Sequence, residues 1–104
     1  MAYLQTPEAS DRKAAPVRKL RPEQTLNGAR LPAHVHARDL WLTSLQGVDA
    51  HDVIFEEVRG GKTLFDNANL AGSRMVDCHF PESMFVCADL QDLYATRTSF
   101  TGSN

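Results

Sequence analysis

Cysteine is scarce in this chain of 104 residues: there are two, Cys78 and Cys87. They lack CxxC spacing, so neither a disulfide framework nor a thiolate metal site is expected. No apolar run approaches the about 20 residues needed to cross a bilayer, so no membrane partner is expected. The segment from Met1 to Pro7 has no basic stretch leading into an apolar one, which argues against a secretory leader. A reduced cytoplasmic chain is the expectation, with leaderless secretion as the other route. Neither sign of charge is in large excess. The net charge is −2, without the basic surplus of a general nucleic-acid binder, so no direct contact with nucleic acid is expected. The balance is uneven along the chain, however. Residues 1–30 carry six Lys/Arg and three Asp/Glu, and residues 31–104 carry five and ten, giving a basic head and an acidic body.

Aromatic residues are also few, yet they are ordered. All five phenylalanines fall at multiples of five: Phe55, Phe65, Phe80, Phe85 and Phe100. Self-similarity at a fixed period is the mark of a repeat architecture. Of the thirteen positions in this phase from 40 to 100, ten hold a large apolar residue, the others being Ala50, Gly60 and Ala95. Two residues before each of these centres runs a second column. From Thr43 to Thr98 it is small or β-branched except at Leu93, and before that it holds Arg38. In extended backbone these two positions point to the same side. Each unit therefore offers one small and one large inward side chain around an outward residue. Cys78 belongs to the small column, as a buried hydrophobe rather than a reactive thiol. Two residues after the centres stand Gly47, Asp52, Asn67, Gly72, Asp77, Asp92 and Gly102. These types accept the positive φ of the third position of a type II turn, and Pro81 suits the second position. Three-residue strands alternating with tight turns wind into a solenoid, with equivalent positions about 4.8 Å apart. Spacing alone leaves three-sided and four-sided coils both open.

The units Ala68-Asn69-Leu70-Ala71-Gly72 and Ala88-Asp89-Leu90-Gln91-Asp92 resemble the A-[DN]-L-x-x motif of the pentapeptide-repeat family. Weaker copies carry the register over about residues 33–102. The resemblance implies an all-β fold, a right-handed quadrilateral β-helix with twenty residues per coil, here about three coils. It implies that Leu45, Phe65 and Phe85 stack; that Ala50, Leu70 and Leu90 do; that Phe55, Met75 and Ala95 do; and that Leu40, Gly60, Phe80 and Phe100 do. Gly60, with Gly61 and Lys62, breaks the pattern and is expected to mark a gap or bulge. A phosphate loop is not expected there, because the full G-x-x-x-x-G-K-[ST] spacing is missing.

The organisation expected is an irregular basic tail over residues 1–27 and the β-helix over 28–104. Pro7, Pro16 and Pro22 interrupt the tail, and one strand is expected near Val17–Leu20. Ala29-Arg30-Leu31 reads as a unit one residue out of phase, which begins or caps the first coil. At the far end, Thr101-Gly102-Ser103-Asn104 supplies no capping helix. An open coil exposes unpaired backbone and a core layer, so a homo-oligomer or a capped complex at the C-terminal coil is expected.

Nothing in the sequence points to catalysis. His34, His36, His51 and His79 lack zinc spacing, no nucleophile has an evident base, and a solenoid presents outward faces rather than a cleft. No cofactor and no metal are expected. Two surface features stand out. Leu64, Met84 and Val86 project from one face beside Cys87, an outward apolar cluster that suggests a protein contact. Trp41, on an outward turn with Leu42, is either covered by the tail or a partner anchor. Asp49, Asp52, Asp89 and Asp92 are expected on one face, and Glu56, Glu57 and Asp77 on the next. These carboxylates serve either as a solubilising surface or as a mimic of a phosphate backbone. The resemblance extends the second idea to family members that protect DNA gyrase, which are longer, more acidic and dimerise through a C-terminal helix. The leading expectation is a non-catalytic protein-interaction or scaffolding module. A DNA-mimicking regulator of a topoisomerase is one alternative, and an accessory or effector protein of a bacterial secretion system is another, the latter by family resemblance alone.

Overall fold

The structure is a computed structural model that describes residues 19–104. Residues 1–18 of the expected irregular tail, with half of the strand expected near Val17–Leu20, lie outside the described residues, and Lys19 and Leu20 are not in a strand. The rest is a right-handed quadrilateral β-helix without any α-helix among the described residues. One side is a parallel sheet of β1 (His34–His36), β2 (Ile54–Glu56), β3 (Arg74–Val76) and β4 (Tyr94–Thr96), in that order. Its register advances twenty residues per layer, with Val35 beside Phe55, Phe55 beside Met75 and Met75 beside Ala95. The other three sides are parallel ladders of single bridges. Ser44, Leu64 and Met84 lie on one, Asp49, Asn69 and Asp89 on the next, and Asp39, Arg59, His79 and Ser99 on the last.

Local chemistry makes each corner. The residue two after each centre has positive φ at every fifth position, from Ala37 (53°) to Gly102 (71°). Where the corner is a β-turn, its amide closes on the centre carbonyl, as from Thr43 to Leu40 (3.0 Å) and from Ala68 to Phe65 (3.0 Å). The ladder then binds one coil to the next, with Leu45 N–H on the Leu64 carbonyl (2.7 Å) and Leu64 N–H on the Thr43 carbonyl (3.0 Å). Seven of these corners are the Gly, Asp and Asn residues that sequence singles out. Leu42, Lys62 and Arg97 do the same without that excuse, at a conformational cost of about 1–2 kcal/mol each.

The core follows the predicted stacks. Leu40, Leu45, Phe55, Phe65, Leu70, Met75 and Phe80 are all fully buried. Phe65 and Phe85 lie parallel at 5.0 Å between ring centroids, and Phe65 meets Phe80 edge-on at 5.6 Å. Burial fades in the last coil, where Leu90 is 42% and Tyr94 54% exposed.

Two expectations change. Gly60 is neither a gap nor a bulge. Its amide bonds to the His79 carbonyl (2.8 Å) and Arg59 N–H to the Arg38 carbonyl (2.9 Å), so the ladder runs through in register. A Cβ at Gly60 would lie 2.8 Å from Cδ1 of Phe80, which shows that the Phe80 ring takes up the room. The winding also starts before residue 28. Thr25 pairs with Ser44 and Arg30 with Asp49, nineteen residues apart rather than twenty. The missing residue is at the corner between Leu31 and Val35, both buried. There Pro32 stands in place of a two-residue turn, and the phase of five slips by one. Leu26 and Leu31 are therefore core residues of a further coil, so among the described residues every side has four layers.

Candidate functional site

The inward small column carries chemistry that its size alone does not reveal. The Ser83 hydroxyl donates to the Gly60 carbonyl (2.6 Å) and accepts the amide of Thr63 (3.1 Å). One coil on, Ser103 repeats this, donating to the Phe80 carbonyl (2.7 Å) and accepting the Ser83 amide (3.1 Å). Thr63 donates to the Leu40 carbonyl (2.6 Å). On the adjoining corner Thr98 bonds the Met75 carbonyl (3.2 Å), and the Cys78 thiol bonds the Phe55 carbonyl (3.3 Å). Cys78 thus stands in for a serine, and burial pushes its thiol up from the ordinary value, which disfavours the reactive thiolate. The signal in the sequence was the run Thr43, Thr63, Ser83, Ser103 at intervals of twenty. Buried hydroxyls need partners, and only the coil length says that these partners are twenty and twenty-three residues back.

The outward residue before each centre has a structural task as well. Asp39, Asn69 and Asp89 each accept the amide two residues on, from Trp41 (2.9 Å), Ala71 (3.1 Å) and Gln91 (3.0 Å). Asp49 accepts the His51 amide (3.3 Å) and also its ring nitrogen. These side chains fasten the corners, as Asx turns do.

The carboxylates of the first expected acidic face lie on one ladder and on a corner column. Asp49 and Asp89 share one ladder with Asn69 between them. Asp52 and Asp92 sit on the positive-φ corner column. Glu56 meets the ring of His34 (2.5 Å), Glu57 that of His36 (3.3 Å), and Asp77 the guanidinium of Arg97 (2.5 Å). Arg97 lowers the carboxyl of Asp77 below its ordinary value, and the hydrogen bond from His51 does the same for Asp49. No group of three or more potential metal ligands comes together among the described residues.

The apolar residues are partly brought together. Leu64 and Met84 are bridge partners, side by side and half-buried on one ladder. Val86, 42% exposed, lies on the adjacent corner, where its amide bonds Asp66 (3.0 Å). Cys87 follows it, exposed. Trp41 is apart from them, at the opposite edge of this face. Its ring lies on Gly61, where a Cβ would come within 2.4 Å of it, and Lys62 Nζ stands 5.8 Å from the ring centroid. At the open end, Phe85, Leu90, Leu93 and Phe100 line an apolar hollow of about 250 Å³.

Inward pairs, positive-φ corners and a twenty-residue register define the four-sided solenoid class. Residues 63–102 match the pentapeptide repeats, in eight copies. Over that stretch the chain carries pentapeptide repeats. Its fold is similar to that of the pentapeptide repeat protein Rfr23 from the cyanobacterium Cyanothece 51142, with TM-score 0.52 and 12% identity over 79% of this chain and 88% of that one. It is also similar to QnrB1, a plasmid-mediated fluoroquinolone resistance protein, with TM-score 0.51 and 12% identity over 78% of this chain; the match spans 57% of QnrB1. At this identity the likeness is one of fold. No curated protein matches the sequence. No helix of the described residues is long and apolar enough to cross a membrane.

Proposed function

We propose that the protein is a non-catalytic interaction or scaffolding module that docks a protein through the Leu64–Met84–Val86 strip, through the open last coil, or both. The observation that carries this reading is the pairing of Leu64 with Met84 on the outside of the solenoid. Outward positions on the neighbouring ladders are Asp39, Arg59, His79, Asp49, Asn69 and Asp89. Against that background two adjacent aliphatic side chains, with Val86 exposed beside them, mark a surface that gains from losing water. The hollow among Phe85, Leu90, Leu93 and Phe100 has the same property. The amides of Leu90 and Asp92 have no acceptor among the described residues, so the edge can take a further strand from a second copy or a partner.

The test is to compare the tagged wild-type chain with Met84→Asp and Val86→Asp in captures from the native host, and to follow mass against concentration by light scattering. Loss of a specific captured protein in the variants supports the strip. A mass that rises with concentration supports the open end. Unchanged capture together with a dilution-independent monomer overturns both.

The carboxylates weigh against mimicry of nucleic acid. Asp77 is paired with Arg97 and Asp49 with the His51 ring, and Asn69 stands between Asp49 and Asp89, which breaks up the continuous negative stripe that a phosphate backbone presents. A gyrase supercoiling assay with the protein in excess is therefore expected to show no effect.

A further inference from the structure

The side bearing Asp39, Arg59 and His79 carries a groove that the sequence does not announce. It has a volume of about 780 Å³ and is lined by Arg38, Asp39, Glu57, Arg59, Asp77 and His79. A second hollow of about 290 Å³ shares Asp39, Arg59 and His79 and extends to Trp41 and Pro81 at the next corner. Together they form a trough across one face of the solenoid, with two arginines set among three carboxylates at one side and apolar surface at the other.

The charges in the trough are not equivalent. Of its three carboxylates, Asp77 is paired with a permanent cation, Arg97 (2.5 Å), while Asp39 holds the Trp41 amide (2.9 Å) and Glu57 faces the His36 ring (3.3 Å). Arg38 and Arg59 are direct neighbours, joined by the bond from the Arg59 amide to the Arg38 carbonyl (2.9 Å). Among the described residues neither guanidinium has a carboxylate partner, although Asp39 is the bridge partner of Arg59. Two adjacent, unneutralised arginines present planar donor forks, the geometry suited to bidentate capture of a carboxylate. The ladder fixes their backbones side by side before any ligand arrives, which lowers the entropic cost of bringing the two residues to one ligand.

Apolar surface lies within reach. The Trp41 ring covers Gly61, and Pro81 stands next to it. Arg38 adds a further sign of special use. It occupies the inward column that Val58, Cys78 and Thr98 fill in later coils, yet it is exposed.

We propose that this trough binds an extended segment of a protein partner that carries one or two carboxylates, clamped by Arg38 and Arg59, with a neighbouring apolar side chain resting on Trp41 and Pro81. The proposal rests on the reading of the protein as an interaction module and assigns it a second surface. Nucleic acid fits less well. Its charges come about every 1.7 Å of duplex, and Asp39, Glu57 and Asp77 rim the groove, so only a short anionic group escapes repulsion.

The probe is a fluorescein-labelled Gly-Glu-Leu-Glu-Gly amide, titrated with the full chain and followed by fluorescence anisotropy at low ionic strength. Saturable binding is expected, weakening as salt is raised. Arg38→Gln and Arg59→Gln are each expected to weaken it by about tenfold or more. Arg59→Lys keeps the charge without the fork and should fall between. Because both arginines are exposed, circular dichroism should show the variants folded. The peptide with Gln in place of Glu should not bind. Absence of saturation at millimolar protein, equal binding by the Gln variants, or tighter binding of a single-stranded oligonucleotide overturns the proposal. If Met84→Asp still abolishes capture of a partner while the peptide fails to bind, the trough is wrong and the interaction reading stands. If the peptide binds and Met84→Asp changes nothing, it is the apolar strip that fails.

Discussion

The ring of Phe80 occupies the space that a side chain at Gly60 would need. A Cβ at Gly60 would lie 2.8 and 2.9 Å from Cδ1 and Cε1 of Phe80 and 2.7 Å from Oγ1 of Thr63. Stacked coils of one protein thus exchange volume, with a large residue in one layer filling the vacancy of the layer before. Gly60→Leu is expected to destabilise the fold by about 1–3 kcal/mol through overpacking. Adding Phe80→Ala should return part of that loss, because it empties the contested space. Urea unfolding of the two single variants and the double variant measures the coupling. Additive effects would show that the two positions do not share that space.

The bond from the Ser83 hydroxyl to the Gly60 carbonyl has a second half, in which the same oxygen accepts the Thr63 amide. Ser83→Ala strands both backbone groups in a fully buried setting. A loss of about 1–3 kcal/mol is expected. Ser83→Thr keeps the hydroxyl, as Thr63 does one coil earlier, and should cost less. Chemical denaturation distinguishes them; if alanine and threonine behave alike, the hydroxyl is not what matters.

Leu42 holds φ at 57° on an exposed corner. Leu42→Gly removes a left-handed penalty of about 1–2 kcal/mol. It adds about 0.5–1 kcal/mol of unfolded-chain entropy. The net expectation is a gain of about 0.5–1 kcal/mol, read as a higher melting temperature. A lower melting temperature would show that the Leu42 side chain contributes packing that exceeds the strain.

The His51–Asp49 pair gives stability a dependence on pH. The hydrogen bond with Asp49 raises the imidazole above its ordinary value, and the one with His51 lowers the carboxyl. A raised histidine contributes fully below its unfolded pKa of about 6.5 and loses that contribution as pH climbs through the folded value. A lowered aspartate contributes above its unfolded pKa of about 3.9 and loses it as pH falls through the folded value. The pair therefore contributes most between about pH 4 and 6.5. His51→Gln should reduce the drop in melting temperature between pH 6 and pH 8. An identical drop in both proteins rules the pair out as a contributor.

The expected turns and stacks are seen because each depends on one residue and its neighbours five away. Phe65 on Phe85 and positive φ at Asp52 and Asn67 are of this kind. Gly60 misled because a glycine's vacancy is read locally, whereas Phe80, twenty residues on, fills it. Leu31 fell out of phase because Pro32 shortens one corner, and only pairing of Arg30 with Asp49 restores the register. The pairing of Glu56, Glu57 and Asp77 could not be read for the same reason, as their partners lie one coil away.

The period, the inward pairs, the corner chemistry and, through likeness to A-[DN]-L-x-x units, the kind of solenoid are written in the residues themselves. These are properties of five consecutive residues, and the backbone expresses them one unit at a time. Which residues meet across coils emerges with the folded chain: Ser83 on Gly60, Trp41 on Gly61, Arg38 beside Arg59. Those contacts depend on the length of a whole turn, and a coil that gains or loses one residue at a corner moves every partner after it.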